Sequence, residues 1–513
     1  MKEKIVNLIA DHVEGMTAEE IASFIEIPPK QELGDYAFPC FRLAKTMHKA
    51  PNLIAADIKE AIGDVDFLDK IDVQGAYLNF FVKKDIFVQT MIESALKDNF
   101  GGSDEGADKV ICIDYSSPNV AKNFHVGHLR TTIIGNSLYK IYSKLGYKVI
   151  RINHLGDWGT QFGKLIVAYK NWGTKEAVEK DGVAELMRLY VKFHEEADKN
   201  PELVDEARAW FSKMEHGDEE ALSIWQWFKD ISLVEYKRTY DLLGMDFDYY
   251  LGESFYRDKC QEVVDQLKKA NLLKESEGAM IVDLSDYDMA PCIITKKDGS
   301  SIYATRDLAA IFYRKNTYHF TKCLYVTGQE QKLHFAQVFK VVELLGNDWA
   351  KDSLVHIPYG LVSLEGAKLS TRSGNIIYAE DILHDAIEKS FEIISEKSPN
   401  LPDKEEVAKI VGVGSVLFND LYNQRIKDVS FSWDKVLNFD GETGPYVQYT
   451  HARCSSVVRL ADNFDPAKPV DYSTISEPDA MNLLKEISRF PKVVSDAAEK
   501  YEPSVVARFA VDV

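Results

Sequence analysis

The feature that most constrains this chain is a short apolar run, a polar turn, an amphipathic stretch and a second apolar run, all between residues 110 and 152. Val110 to Ile113 is compact and β-branched, and Ser117-Pro118-Asn119 is turn chemistry. Ile133, Ile134, Leu138, Ile141, Tyr142 and Leu145 then recur at helical spacing until Gly146, and Tyr147 to Ile152 reads as the next strand. This order describes one β-α-β unit, which demands a parallel sheet and places a ligand-binding turn at the carboxyl end of its first strand.

His125-Val126-Gly127-His128 falls at the start of the helix, with Lys122 just before it and Arg130 just after. Backbone N–H groups and the dipole at a helix N-terminus favour a phosphate, Gly127 lets a ligand approach the backbone, and two imidazoles three residues apart can donate to one bound group. The combination suits a triphosphate in a substitution reaction. A zinc pair is one competing reading, although no nearby Cys pair or third His stands at a familiar spacing. An ordinary first helical turn is the other.

The whole stretch from Asp114 to Arg130, Asp-Tyr-Ser-Ser-Pro-Asn-Val-Ala-Lys-Asn-Phe-His-Val-Gly-His-Leu-Arg, resembles the adenylate-forming signature of class I aminoacyl-tRNA synthetases. It has the extended form characteristic of arginyl-tRNA synthetases, and the resemblance continues along nearly the whole chain.

At 513 residues with 45% hydrophobic content the chain can bury several cores, and its length suits about two to four domains. No apolar run approaches a membrane span, and Met1-Lys2-Glu3-Lys4-Ile5 opens an amphipathic pattern, read as a cytoplasmic start. Cys40, Cys112, Cys260, Cys292, Cys323 and Cys454 are scattered without a C-x-x-C pair, as expected of reduced thiols. A net charge of −20 argues against a general nucleic-acid binder, but a confined basic patch on an acidic protein still permits a selective RNA partner.

Along the chain, Thr17-Ala18-Glu19-Glu20 is a capping box, and Glu32 to Pro39 reads as a lead into a helix bearing Arg42, Lys45 and Lys49. A turn followed by a solvated helix face accounts for those residues unaided. Phe100 to Gly106 is linker chemistry. Asn153-His154-Leu155-Gly156-Asp157-Trp158-Gly159-Thr160-Gln161-Phe162-Gly163 suggests a pocket-shaping loop at the end of the second strand. From about 165 to 255 the pattern is helical and charged, with Leu186, Leu189, Tyr190 and Phe193 on one face and Ile224, Trp227, Phe228 and Ile231 on another, mostly core.

Ile293 to Thr305 reads as a β-hairpin turning at Asp298-Gly299, and Tyr303-Ala304-Thr305-Arg306-Asp307 then lies at a strand-to-helix junction. A carboxylate and a phenol four residues apart can converge on a guanidinium, whereas taken alone Asp307 reads as an N-cap or a partner of Arg306. Cys323 to Val326 is another strand, with Gln331 and His334 after it on one helical side, and Leu354 to Val362 gives a further strand region. Glu365 to Asn375 resembles the second class I signature in a degenerate form: Lys368 and Ser370 match, but Thr371 replaces the second lysine, leaving Lys122 as the stand-in charge. From Asp381 the pattern is helical again.

The resemblance implies an α/β fold: a doubly wound parallel-sheet, Rossmann-like catalytic domain over 105–380 with a helical insertion at about 165–290. It implies an N-terminal α+β appended tRNA-binding domain over 1–104 and a C-terminal α-helical bundle that binds the anticodon over 381–513, shortened at its C-terminus because the chain stops inside a helical pattern. The implied substrates are L-arginine, tRNA(Arg) and ATP with Mg²⁺, with no protein-bound metal, no permanent cofactor, no membrane partner and a monomeric state. Lys122, His125, Gly127, His128, His334, Lys368 and Ser370 would serve ATP and catalysis. Asp114, Asn119, His154, Tyr303, Asp307 and Gln331 would hold arginine, and Tyr36, Arg42, Tyr446, Tyr449 and Arg453 would meet tRNA. Members of the family generally activate arginine only with tRNA bound. The alternative is a catalytically weak or inactive tRNA-binding paralogue or fragment.

Overall fold

The computed structural model describes residues 1–13, 15–28, 30–297, 301–364, 378–461 and 468–513. The chain divides into two units. One is Met1–Phe100 with the described part of Asp462–Pro491, and the other is Gly101–Ala461 with Lys492–Asp512. In chain order the strands are β1 (Tyr36–Pro39), β2 (Leu68–Gln74), β3 (Tyr77–Val82), β4 (Val110–Asp114), β5 (Lys148–Asn153), β6 (Tyr249–Tyr250), β7 (Leu273–Ser276), β8 (Ala279–Val282), β9 (Cys292–Thr295), β10 (Lys322–Gly328), β11 (Leu354–Tyr359), β12 (Val362–Leu364) and β13 (Val429–Phe431).

The first unit is α+β, an antiparallel sheet of order β1-β3-β2 with helices packed on it around Ile5, Ile9, Ile21, Phe38, Ile54, Leu78 and Phe80. Thr17 and Glu20 form the expected reciprocal cap. The peptide read as a lead into a helix is instead β1: Tyr36 pairs with Phe80, and Asp35 accepts the Val82 N–H at 2.9 Å, fixing the strand from its side chain. Of the expected helix only the turn Cys40–Arg42 and the short Ala44–Met47 remain, and Lys49 lies beyond both. Within the stretch read as one C-terminal bundle, helix Pro478–Ser488 packs Met481, Leu484 and Ile487 into this first unit's core, so chain order and packing part company there.

The second unit carries the parallel sheet, order β11-β10-β4-β5-β6, so that β4 lies between β5 and β10 at the point where strand order reverses. Cys112, Ile150, Ile152, Cys323 and Tyr325 pack in one core with Leu308, Ile311, Val338 and Val342 from helices Tyr303–Tyr318 and Lys332–Leu344. This near-continuous apolar burial is what parallel strands under helices require. Four helices between Thr160 and Leu243 build a separate aromatic core with Trp158, Phe162, Leu186, Leu189, Phe193 and Phe228. Past Leu243 the stretch expected to be helical to about 290 changes character: β6 pairs with β5, and β7, β8 and β9 form an antiparallel sheet. Of the expected hairpin over 293–305 one antiparallel rung is described, and its second arm is cut short by a helix. After β9 one bridge joins Thr295 to Ser301, and the helix begins at Tyr303; the Asp298-Gly299 turn lies outside the described residues. Helices Ala379–Lys397, Lys404–Tyr422 and Gly444–Leu460 follow, and β13 runs parallel to β12. No helix among the described residues is long and apolar enough to cross a membrane.

Candidate active site at the strand carboxyl ends

Between β4 and the helix Val126–Lys144 the chain makes a strained turn, with Ser116, Ser117 and Ala121 at φ of 71, 46 and 62°. Left-handed backbone at three non-glycine positions is costly and needs bracing. The helix Glu219–Leu243 supplies it: Tyr236 Oη donates to the carbonyls of Asn119 and Lys122, each at 2.6 Å, and Ser232 Oγ accepts the Ala121 N–H at 3.0 Å.

His125 is the N-cap, and the two histidines cap each other as a Ser and a Glu ordinarily would. The Gly127 N–H donates to His125 Nδ1 at 3.1 Å, and the His125 N–H donates to His128 Nδ1 at 3.3 Å. Because both Nδ1 atoms accept, the neutral rings carry their protons on Nε2, where each is a donor for an anion. The rings stack with centroids 3.8 Å apart. Burial and then the Lys122 charge hold His125 below the ordinary histidine value, and burial, His125 and Lys122 hold His128 well below it. Lys122 is itself lowered by burial. Gly127 has a nearer reason than ligand approach: a Cβ there would lie 2.9 Å from His125 Cε1, so the ring folds back only over a glycine.

Asp114 ends β4 buried, and Arg314 Nη2 donates to it at 2.8 Å while Ser117 Oγ donates at 3.0 Å. Arg314 Nη2 also reaches His154 Nδ1 at 3.2 Å, and His154 stacks on Tyr256 at 5.4 Å. Asp114 and His154, read as direct arginine ligands, are thus already joined through a buried arginine of the chain itself. Asn119 is exposed and bridges in parallel to Gly156, which holds the signature turn against the 153–163 peptide.

Tyr303 and Asp307 lie within the first turns of helix Tyr303–Tyr318, not ahead of it, and the N-cap is Ile302. Asp307 therefore neither caps the helix nor pairs with Arg306: its Oδ2 sits 2.6 Å from His334 Nε2. His334, expected with the ATP groups, is in contact with Asp307. Arg306 turns to Glu253, Nε to Oε2 at 3.4 Å, and lies 5.1 Å over the exposed ring of Tyr303. Burial, despite Arg306, pushes the Glu253 carboxyl up to about 8. Gln331 is exposed at the end of the turn following β10. Lys368 and Ser370 lie outside the described residues.

Glu253 and Arg314 escaped the sequence reading. Arg314 left one signal: it continues the buried Ala304, Leu308, Ile311 face of its helix, where a guanidinium needs a partner. Glu253 left none. Elsewhere, Tyr36 is partly buried in β1, its phenol pushed up to about 12 by burial and Asp35, and Arg42 lies 4.8 Å over Phe24. Tyr446 and Tyr449 are exposed on helix Gly444–Leu460, with Arg453 5.8 Å over Tyr449.

Three family models match: the catalytic domain of class I (R) tRNA synthetases over residues 91–433, the arginyl-tRNA synthetase N-terminal domain over 2–82, and the DALR anticodon-binding domain over 447–513. The arginine–tRNA ligase of Alkaliphilus metalliredigens is 55% identical over 514 residues, covering 100% of this chain and 90% of its own length. That of Clostridioides difficile is 54% identical over 513 residues with the same coverage. Among solved structures, Thermus thermophilus arginyl-tRNA synthetase shares the fold with a TM-score of 0.82 at 24% identity, over 100% of this chain and 90% of that one. The Plasmodium falciparum enzyme does so at 0.78 and 22%, over 99% and 89%. With full-length relatives above half identity and the class I catalytic model spanning most of its length, the chain belongs to the arginyl-tRNA synthetases.

Proposed function

We propose that this chain joins L-arginine to tRNA(Arg) at the expense of ATP, in two steps at one site. A carboxylate oxygen of arginine attacks the α-phosphorus of Mg²⁺-bound ATP, the bond to the bridging oxygen of the β-phosphate breaks, and pyrophosphate leaves. The terminal ribose 2′-OH of tRNA then attacks the arginyl carbonyl, loses its proton and expels AMP. Neither step needs a protein nucleophile; the site positions anions and stabilises charge.

The observation that carries this reading is that two differently built groups stand at the carboxyl ends of adjacent parallel strands. After β4 come the paired Nε2 donors of His125 and His128 with Lys122, suited to phosphate. After β10 comes His334, bonded to Asp307 beside Tyr303 and Glu253, suited to a guanidinium. Asp307 would take the arginine fork with Tyr303 beside it, Asn119 and Gln331 would complete the pocket, and Asp114 with His154 would act through Arg314. Lys368 and Ser370 are assigned to the triphosphate by resemblance alone. Lysine, a point charge, cannot fill both oxygens of the Asp307 carboxylate as a guanidinium fork does, so discrimination needs no editing step. Tyr36, Arg42, Tyr446, Tyr449 and Arg453 are assigned to tRNA, the five buried free thiols support a reducing, cytoplasmic setting, and a monomer is the expected state.

Arginine-dependent ATP–pyrophosphate exchange, with and without tRNA(Arg), tests the assignment. Exchange with arginine and not lysine, with a steep rise in arginine KM and an unmoved ATP KM in Asp307→Ala, is expected. Exchange indifferent to arginine, or an unchanged arginine KM in that variant, overturns it.

A further inference from the structure

Asp157 stands in the 153–163 peptide at the end of β5 with its side chain fully buried, and nothing above gives it a role. Its carboxylate accepts three hydrogen bonds: from Ser254 N–H at 2.8 Å, Ser254 Oγ at 2.7 Å and Lys229 Nζ at 2.6 Å. Its main-chain carbonyl accepts the indole N–H of Trp225 at 2.7 Å. Trp225 and Lys229 belong to one helix, Glu219–Leu243, and Ser254 is the second residue of the short helix Glu253–Tyr256.

The carboxylate therefore does from outside what an N-cap side chain ordinarily does from within. The N-cap itself is Gly252, and a Cβ there would come within 2.4 Å of the Asp157 carboxylate atoms, so the approach exists only because position 252 is a glycine. Next to it, the Glu253 N–H bonds to the Leu155 carbonyl at 3.0 Å. Residues 253 and 254 are thus both tied to the 153–163 peptide.

What the turn carries is the buried Glu253 carboxyl opposite Arg306. Among the described residues neither Glu253 Oε2 nor Arg306 Nε has a hydrogen-bond partner, so their approach depends on where the backbone sets them. Arg306 precedes Asp307 and covers Tyr303. A displacement of the 252–254 turn would reach both residues of the amino-acid pocket without touching the histidine pair.

We propose that Asp157, anchored by Lys229, is a positioning residue for the amino-acid subsite: it fixes the 252–254 turn and, through Glu253 and Arg306, the helical turn bearing Tyr303 and Asp307. The inference rests on the assignment of that turn to arginine. It makes the helices between Thr160 and Leu243 part of amino-acid affinity, through Lys229, as well as a brace for the signature turn.

The test uses the full chain in tRNA-supported pyrophosphate exchange, with arginine and ATP varied separately for Asp157→Ala, Asp157→Asn, Lys229→Met and Ser254→Ala. Asp157→Ala is expected to raise the arginine KM by about tenfold or more while the ATP KM stays within about twofold. Asp157→Asn, which keeps an acceptor for the Ser254 N–H, recovers part of the loss. Lys229→Met and Ser254→Ala, each removing one bond and retaining the fold by circular dichroism, raise the arginine KM by about two- to fivefold. Equal shifts in both KM values, or a lowered melting temperature with both KM values unmoved, overturn the proposal. Asp307→Ala separates the layers: if it leaves the arginine KM unchanged the pocket assignment itself falls, whereas if it raises that KM and all the Asp157-centred variants do not, only the positioning role falls.

Discussion

Asp307 Oδ2 lies 2.6 Å from His334 Nε2, joining the helix that follows β9 to the helix that follows β10. A hydrogen bond to a carboxylate is worth about 1.5–3 kcal/mol, and about 1.4 kcal/mol is tenfold in an equilibrium constant. Replacing His334 by Ala lets the carboxylate turn away from the pocket, and the arginine KM is expected to rise by about tenfold with the ATP KM unmoved. Exchange kinetics with each substrate varied in turn check this. A rise in the ATP KM alone would return His334 to the nucleotide side, where the sequence had placed it.

Gly127→Ala separates stability from ATP use. Alanine is the better helix former by about 1 kcal/mol, which is about what the lost cap bond to His125 costs, so the Val126–Lys144 helix holds level. The new methyl would stand 2.9 Å from His125 Cε1 and 3.0 Å from His125 Nδ1, driving the ring off the N–H of residue 127. Thermal melting should therefore be about unchanged while kcat/KM for ATP falls by about tenfold or more.

The β4–helix–β5 unit was legible because every part of it is local: apolar period, turn residues and a stopping Gly146 within one window. Tyr303 and Asp307 stand out only through the family's motif, and their place inside a helix is not legible locally. The turn chemistry of Asp298-Gly299 argued for a hairpin, while the helix start at Ile302 has no side-chain cap to announce it. The His334–Asp307 contact is not legible either, because sequence order shows which residues follow a strand and not which of two helices they face. Asp114 with Arg314, and Asp157 with Lys229 and Ser254, are pairings across the fold between residues in ordinary local contexts. Strand β1 was hidden for the same reason, since its anchor, Asp35 to the Val82 N–H, is a long-range bond.

The histidine pair gives folding a pH dependence of definite sign. In the folded chain burial and Lys122 keep His125 below, and His128 well below, the ordinary value of 6.5. Once unfolded, both rings regain that ordinary value, so as pH falls below it the unfolded chain takes up protons that the folded chain refuses, and stability declines. The melting temperature is expected to drop between about pH 7.5 and pH 5.5, and to drop less in His128→Gln, which cannot take up the proton. Parallel slopes for the two proteins would remove the burial argument for neutral imidazoles.

Arg130, two residues past His125-Val126-Gly127-His128, is buried to 1% exposure and donates to four main-chain carbonyls. Nη1 reaches Gly360 at 2.8 Å and Leu361 at 3.1 Å, and Nη2 reaches Arg425 at 3.1 Å and Lys427 at 2.9 Å, while Nε stands 3.1 Å from Asp420 Oδ1. Burial pushes Asp420 up to about 6 even with Arg130 opposing it, so the ion pair contributes little and the carbonyl bonds hold the group. Arg130→Met should cost about 3–5 kcal/mol in urea unfolding, because four buried carbonyls lose their donor and Asp420 loses the charge facing it. Asp420→Asn, which leaves all four carbonyl bonds in place, should cost less than about 1 kcal/mol at neutral pH. The native carboxyl, raised above its ordinary 3.8, is protonated first in the folded state, so wild-type stability falls as pH rises from 3.8 through about 6 and the Asn variant lacks that slope. If the two substitutions cost the same, the ion pair, and not the carbonyl clasp, joins the signature helix to the 358–364 and 423–431 segments.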